Sequence, residues 1–261
     1  MGRTGDGDSL ANGEILESNV VLPKPVVDAA AQLLILPGER QTRDLWLWEH
    51  TQRVMQLARL LALLPEAREI GGDQPNQEVV SLAALFADAG WAVQVRRGEI
   101  NHWGILNRPT NDIQREVGVG ILLETAGAHI ASETVEVAAR AIRECNDRYT
   151  KLPEARVLSE AENLDEIGIM YVLRQFRQSM AEGQPLDQIV VSWGRYLEYR
   201  YWDARINDCL RWETSRHIAR ERLRAVEQFM ESFTRDRGAF DLQRALENMG
   251  VDTSSTSNRI V

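Results

Sequence analysis

Apolar residues along the chain recur at steps of three and four. Val26, Ala29, Ala30 and Leu33 begin a helical stripe that stops at Gly38, and a longer helix is expected from about Arg40 to Leu64, where Pro65 ends it. The same spacing returns over 78–86, 111–125, 132–145, 156–180, 186–209 and 214–233, with few β-branched runs. Asp112 and Ser132 stand where helix N-caps belong, each just ahead of an apolar-periodic stretch. The pattern therefore predicts an all-α helical bundle, one domain over 23–240, between polar tails at 1–22 and 241–261. Between Gly90 and Thr110 the periodicity breaks, with Gly98, Gly104 and Pro109. This stretch is expected to be the longest internal loop and a candidate pocket wall.

Composition narrows the classes of function. The 261 residues carry 30 Lys+Arg against 39 Asp+Glu, a net charge of −9. Nucleic-acid or anionic-membrane binding needs clustered positive charge, so neither is expected, although a local basic groove is compatible with the total. No apolar run approaches the roughly 18–20 residues of a membrane-spanning helix, and the first residues lack the basic-then-apolar order of a secretory signal. Two cysteines far apart, Cys145 and Cys209, make neither a disulfide framework nor a metal knuckle, and the expected setting is a reducing cytoplasm.

Three polar groups interrupt apolar stripes. His50 shares a face with Leu47, Val54, Leu57 and Leu61, so it points inward, either as a core histidine with one hydrogen bond or as part of a site. Asp88 breaks an apolar run from Val80 to Ala92; a carboxylate there needs a cation, a metal or several donors, and an Arg–Asp pair or a helix cap would also serve. In the segment from Arg156 to Gly168, Leu158, Glu162 and Asp165 fall at i, i+4 and i+7. Glu162 is the better inward candidate there, whereas Glu160 and Glu166 read as a solvated acidic face. Arg96, Arg97 and Arg115 follow Asp88, placed either to contact a phosphate or to neutralise that carboxylate. Trp46, Trp48, Trp91 and Trp103 flank these segments and could wall a pocket or fill a core, and the Trp193–Trp202 stretch fits a packed helix or a homodimer seam better than a stacking surface for nucleic acid.

The order and spacing of these segments resemble the HD superfamily of metal-dependent phosphohydrolases: a lone histidine in Trp48-Glu-His-Thr-Gln-Arg-Val, a short ALF-x-Asp-x-Gly helix, then an A-x-x-L-D-x-I-G helix. The likeness is nearest to small bacterial members and runs over about residues 25–235, through Thr214-Ser-Arg-His-Ile-Ala-Arg-Glu-Arg to Phe229-Met-Glu-Ser-Phe. It implies an HD-domain-like helical bundle with a divalent metal (manganese, iron or magnesium) held by His50, Asp88 and Glu162, and Asp88 as the catalytic carboxylate that orients a metal-bound water. Carried over in the same way, Ala87 stands at the doublet histidine, which removes one ligand, and Arg96, Arg97 and His102 are the candidates for the substrate phosphate. His129 and His217 read as surface or packing residues, and Cys145 as packing or a soft ligand. The expectation is an HD-like protein with an incomplete metal site that binds a phosphorylated or nucleotide-like ligand or a protein partner. Two alternatives stand beside it: an active phosphohydrolase with a rearranged His/Asp/Glu set, and an interaction scaffold without a small-molecule site.

Overall fold

The computed structural model describes residues 21–68, 72 and 74–252. Of the expected tails, 1–20 and 253–261 lie outside the described residues. Among the described residues the chain is helical, with one two-residue hairpin, β1 (Leu36–Pro37) against β2 (Arg43–Asp44), antiparallel. The helices are α1 (Lys24–Leu34), α2 (Trp46–Leu61), α3 (Gln77–Phe86), α4 (Ala89–Arg96), α5 (Asp112–Ala126), α6 (Ser132–Glu144), α7 (Pro153–Asp165), α8 (Ile169–Ala181), α9 (Asp187–Glu198), α10 (Tyr201–Cys209), α11 (Glu213–Arg237) and α12 (Phe240–Asn248).

Several boundaries differ from the sequence expectation, each for a local reason. The long helix begins at Trp46, not Arg40, because Arg40 and Gln41 take positive φ in the hairpin and Asp44 accepts the Trp46 N–H. The expected 156–180 helix is two, broken at Gly168 (φ 111°), and 186–209 is two, broken at Arg200 in the left-handed region (φ 52°). Non-periodic sequence at 90–110 opens with α4, so the loop proper starts at Arg97. The residue capping α5 is Asn111, not Asp112, in a capping box with Gln114; Ser132 donates to Glu136 while Ala131 holds the N-cap. Finally, α12 occupies part of the expected C-terminal tail.

The helices bury two apolar cores. The larger is built from α1 to α7 around α3, every residue of which from Val79 to Phe86 is buried. The 77–96 stretch is apolar and long enough by composition to cross a membrane, but it bends at Asp88 and packs mostly inside the protein. The smaller core takes the end of α7 with α8 to α11, and Trp193 and Trp202 are buried in it, with Tyr171 edge-on to Trp202 at 4.7 Å. The aromatic stretch is thus mainly packing.

Where α3 turns into α4, α5 lies almost in backbone contact with the corner. A Cβ on Gly90 would overlap the Gln114 carbonyl, and one on Gly118 would overlap the Phe86 carbonyl. Both obstacles are backbone, so neither can step aside. Gly118→Ala is therefore expected to destabilise the chain by about 1–3 kcal/mol as overpacking, read as a lowered urea midpoint, while Gly120→Ala, whose Cβ meets nothing within 4 Å, leaves the midpoint unchanged or raised.

Candidate functional site

Asp88 sits at the N-cap of α4, at the α3–α4 corner, with 4% of its surface exposed. From α2, one turn inside the helix, His50 reaches it: Nε2 lies 3.0 Å from Asp88 Oδ2 and Nδ1 lies 2.8 Å from Asp165 Oδ2 at the end of α7. Arg53, one turn on along α2, closes a fork on the same Asp165 (Nε 2.9 Å, Nη2 3.2 Å). On the other side of Asp88, Thr110 donates to Oδ1 and accepts the Trp91 indole N–H at 2.8 Å. Arg115, buried on α5, stands 3.7 Å from Asp88 Oδ1 and grips both oxygens of Glu162 at 2.7 and 2.6 Å.

Protonation follows from this arrangement. Burial alone would lower the His50 pKa, but two carboxylates accept from its two ring nitrogens and raise it from 6.5 to about 9. Burial works against the charge on Asp88 and Asp165 as well; the hydrogen bonds from His50, with Arg115 and Arg53 beside them, hold both well below the usual carboxylate range. Burial pushes Glu162 up against the pull of Arg115, and pushes the Cys145 thiol up to about 12. The centre holds three carboxylates (Asp88, Asp165, Glu162) and three cations (His50, Arg53, Arg115).

The centre opens into a cavity of about 260 Å³ at the junction of the two cores. Arg108, Arg115, Arg148, Arg174, Arg205 and Arg211 line it, against only Asp88, Glu162, Glu166 and Asp208 among the acids. The buried Nε atoms of Arg115, Arg174 and Arg211, with Nη1 of Arg211, have no hydrogen-bond partner. This is the local basic groove inside an acidic chain.

Of the residues singled out by sequence, His50, Asp88, Glu162 and Arg115 come together here, Arg115 beside the Asp88 carboxylate. Arg96, Arg97 and His102 do not. Arg96 caps the end of α1, donating to the carbonyls of Gln32, Leu33 and Ile35; Arg97 is exposed beside Glu99; His102 bonds Asp44 at 2.7 Å. None of the four tryptophans lines the cavity: Trp46 and Trp103 sandwich Arg177, and Trp91 and Trp48 pack on the core. Glu160, read as solvated, is fully buried and accepts the Arg211 backbone N–H, while Glu166 is half-buried with Arg174 and Arg205.

Sequence reasoning missed Asp165 as the acid that meets His50, together with Arg53 and the arginines of the far wall. A signal was available for Arg53, which lies one turn beyond His50 on α2.

No family profile matches the chain, and no curated protein matches its sequence. Its fold does match solved structures. Bacillus subtilis YpgQ, an HD-domain protein, superposes with a TM-score of 0.51 at 18% identity over 81% of this chain and 92% of that one; its structure in complex with ADP gives 0.50, 17%, 81% and 95%. The fold is HD-domain-like. A predicted HD superfamily hydrolase from an uncultured Thermotogales bacterium also aligns, at a TM-score of 0.47, 19% identity, and 82% and 91% coverage. At these identities the HD likeness speaks for architecture and not for activity.

The fold likeness raises the question of a divalent metal. Both ring nitrogens of His50 are engaged by carboxylates, Ala87 offers no donor atom, and Glu162 meets Arg115 through both oxygens. Among the described residues no three His, Cys, Asp or Glu side chains are grouped to hold a metal ion.

The pKa shifts have a sign in stability. His50 rises above its ordinary value, so its contribution is complete below about pH 6.5 and is lost as pH climbs through about 9; the difference is worth up to about 3 kcal/mol. Asp88 and Asp165 are depressed, so theirs is present above the ordinary carboxylate range and lost on acidification. Urea titrations from pH 6 to 10 are expected to show stability falling on the alkaline side, with that slope largely removed in His50→Gln. An equal slope in both proteins would show that His50 is not charged in the fold.

Proposed function

We propose that this chain is an HD-fold protein that binds a phosphorylated or nucleotide-like anion in its arginine-lined cavity and does not hydrolyse it through a divalent metal. The observation that carries the reading is the convergence of six arginines on one cavity, three of which, Arg115, Arg174 and Arg211, also keep buried guanidinium N–H groups without an acceptor. A buried donor without an acceptor costs about 1–3 kcal/mol, more when charged, and a phosphate offers acceptor oxygens in the geometry that a guanidinium fork meets. The volume, about 260 Å³, is below the roughly 300–1,000 Å³ of whole small-molecule sites. It therefore suits the phosphate groups, with the remainder of the ligand at the mouth. YpgQ, of the same fold, has been solved in complex with ADP, which supports a phosphate-bearing ligand by analogy only.

In this reading the positive charge that a metal brings in HD hydrolases comes from within the chain. Arg115 faces Asp88 and holds Glu162, and His50 stands protonated between Asp88 and Asp165. These groups neutralise the carboxylates and shape the floor of the cavity. Arg174, Arg205 and Arg211 on the opposite wall take the anion.

Calorimetric titration with pyrophosphate and with ADP, in EDTA, is expected to show one-to-one binding, weakened tenfold or more by Arg211→Gln or Arg174→Gln, as for loss of one charge-assisted hydrogen bond of about 1.5–3 kcal/mol. No binding in EDTA would sink the reading. Metal content after dialysis against manganese is expected far below one equivalent. Near one equivalent, lost in His50→Ala, together with phosphate release, would establish the rearranged phosphohydrolase instead. Arg115→Met should drop stability in EDTA by about 3–5 kcal/mol, because two buried carboxylates lose their counter-charge, and millimolar Mn²⁺ should recover part of the melting temperature in that variant while leaving the parent unmoved.

A further inference from the structure

Asp165 faces His50 with one side and, with the other, a second cavity of about 470 Å³ where α2, the α7–α8 turn and α11 meet. That volume lies within the roughly 300–1,000 Å³ typical of small-molecule sites. Arg53, Leu57 and Leu60 come from α2, Ile169 and Met170 from the start of α8, and Arg222 from α11. Arg53 and Arg222 line it with Asp165 and Gln56, and the rest of the wall is apolar.

The two guanidiniums are unequally compensated. Arg53 forms its fork on Asp165. Arg222, half-buried, makes a single hydrogen bond, to the Leu164 carbonyl at 2.6 Å, and among the described residues no carboxylate is in ion-pair contact with it. Burial pushes its pKa down, with only the more distant charge of Asp165 opposing. Asp165 already accepts from His50 and twice from Arg53, so its charge is shared among those partners. Gly168 lets Arg222 take this position: it turns with φ 111°, and a Cβ there would stand 3.1 Å from Arg222 Cβ. Across the cavity, Leu60 is 57% exposed and Ile169 40% exposed, which is apolar surface that a bound molecule would remove from water.

We propose that this second cavity binds a small monocarboxylate with an apolar body, its carboxylate pairing with Arg222 beside Arg53 and its body covering Leu57, Leu60 and Met170. The nearby Asp165 charge repels multiply charged anions, so the site selects a monoanion, in contrast with the arginine-rich first cavity. A carboxylate suits the guanidinium fork, and the apolar walls reward an aliphatic or aromatic body over a hydrophilic one.

The test is calorimetric titration of the full chain with decanoate below its micelle concentration, with and without pyrophosphate. Saturable one-to-one binding is expected in both conditions, weakened tenfold or more by Arg222→Gln and by Leu60→Glu, with decanol, which lacks the charge, at least tenfold weaker than decanoate. Leu60 is at an exposed position, so its variant keeps the test decisive should Arg222→Gln fail to fold. Absence of saturable binding, equal affinity in Leu60→Glu, or equal affinity for decanol would overturn the proposal. Failure of the first cavity would instead appear in the pyrophosphate titration alone, so the two readings fail separately.

Discussion

An ionised carboxylate enclosed by the α3–α4 corner must be matched by positive charge, because removing it from water costs several kcal/mol unless a partner is in place. Asp88 is that carboxylate, and the arrangement of the surrounding helices follows from how it is matched. His50 comes from α2, Thr110 from the loop before α5, and Arg115 from α5; Glu162 and Asp165 on α7 then balance the cations that Asp88 has drawn in. Each added group would be costly alone. Together they form a network in which every charge has an opposite neighbour, and truncating any one member exposes its partners to the full desolvation cost.

The network works only because backbone packing brings α5 close enough. Gly90 and Gly118 allow α5 to approach the α3–α4 corner at backbone distance, and Arg115 projects from that same stretch of α5. A helix held farther out would leave Arg115 short of Asp88, whose ion pair is already at 3.7 Å. Close packing thus supplies the electrostatic geometry, which is why two small residues with no chemistry of their own belong to the account of the site.

The architecture was legible because apolar period is a local property, and the main stripes of α2, α3, α6 and α11 hold in the structure. His50 and Asp88 were legible for a related reason: a polar group on an otherwise apolar face announces that it has a partner. For Asp88, Arg115 was among the expected partners; the acid that meets His50 was not legible. Glu162 and Asp165 are three residues apart on α7 and both can face inward, and only the tertiary placement of α5 and α2 decides that Glu162 meets Arg115 while Asp165 meets His50. Arg96 and Arg97 do not line the arginine-rich cavity, because α4 runs on through that stretch and carries them away from it, to where Arg96 finds the carbonyls at the end of α1. Glu160 misled in the opposite direction: an acidic cluster reads as solvated, yet the chain reversal before α11 lays the Arg211 backbone over it.

The same contrast explains how a chain of net charge −9 holds a cavity rich in arginine. Net charge governs the field at distances beyond the Debye length of about 8–10 Å, whereas an enclosed site feels the charges on its own walls in a medium of lower effective dielectric. Arg148, Arg174, Arg205 and Arg211 come from the α6–α7 loop, α8, α10 and the turn before α11, regions scattered over more than sixty residues of sequence, and they converge only because the second core docks against the first. No window of sequence contains that cluster, so no reading of local charge could have found it.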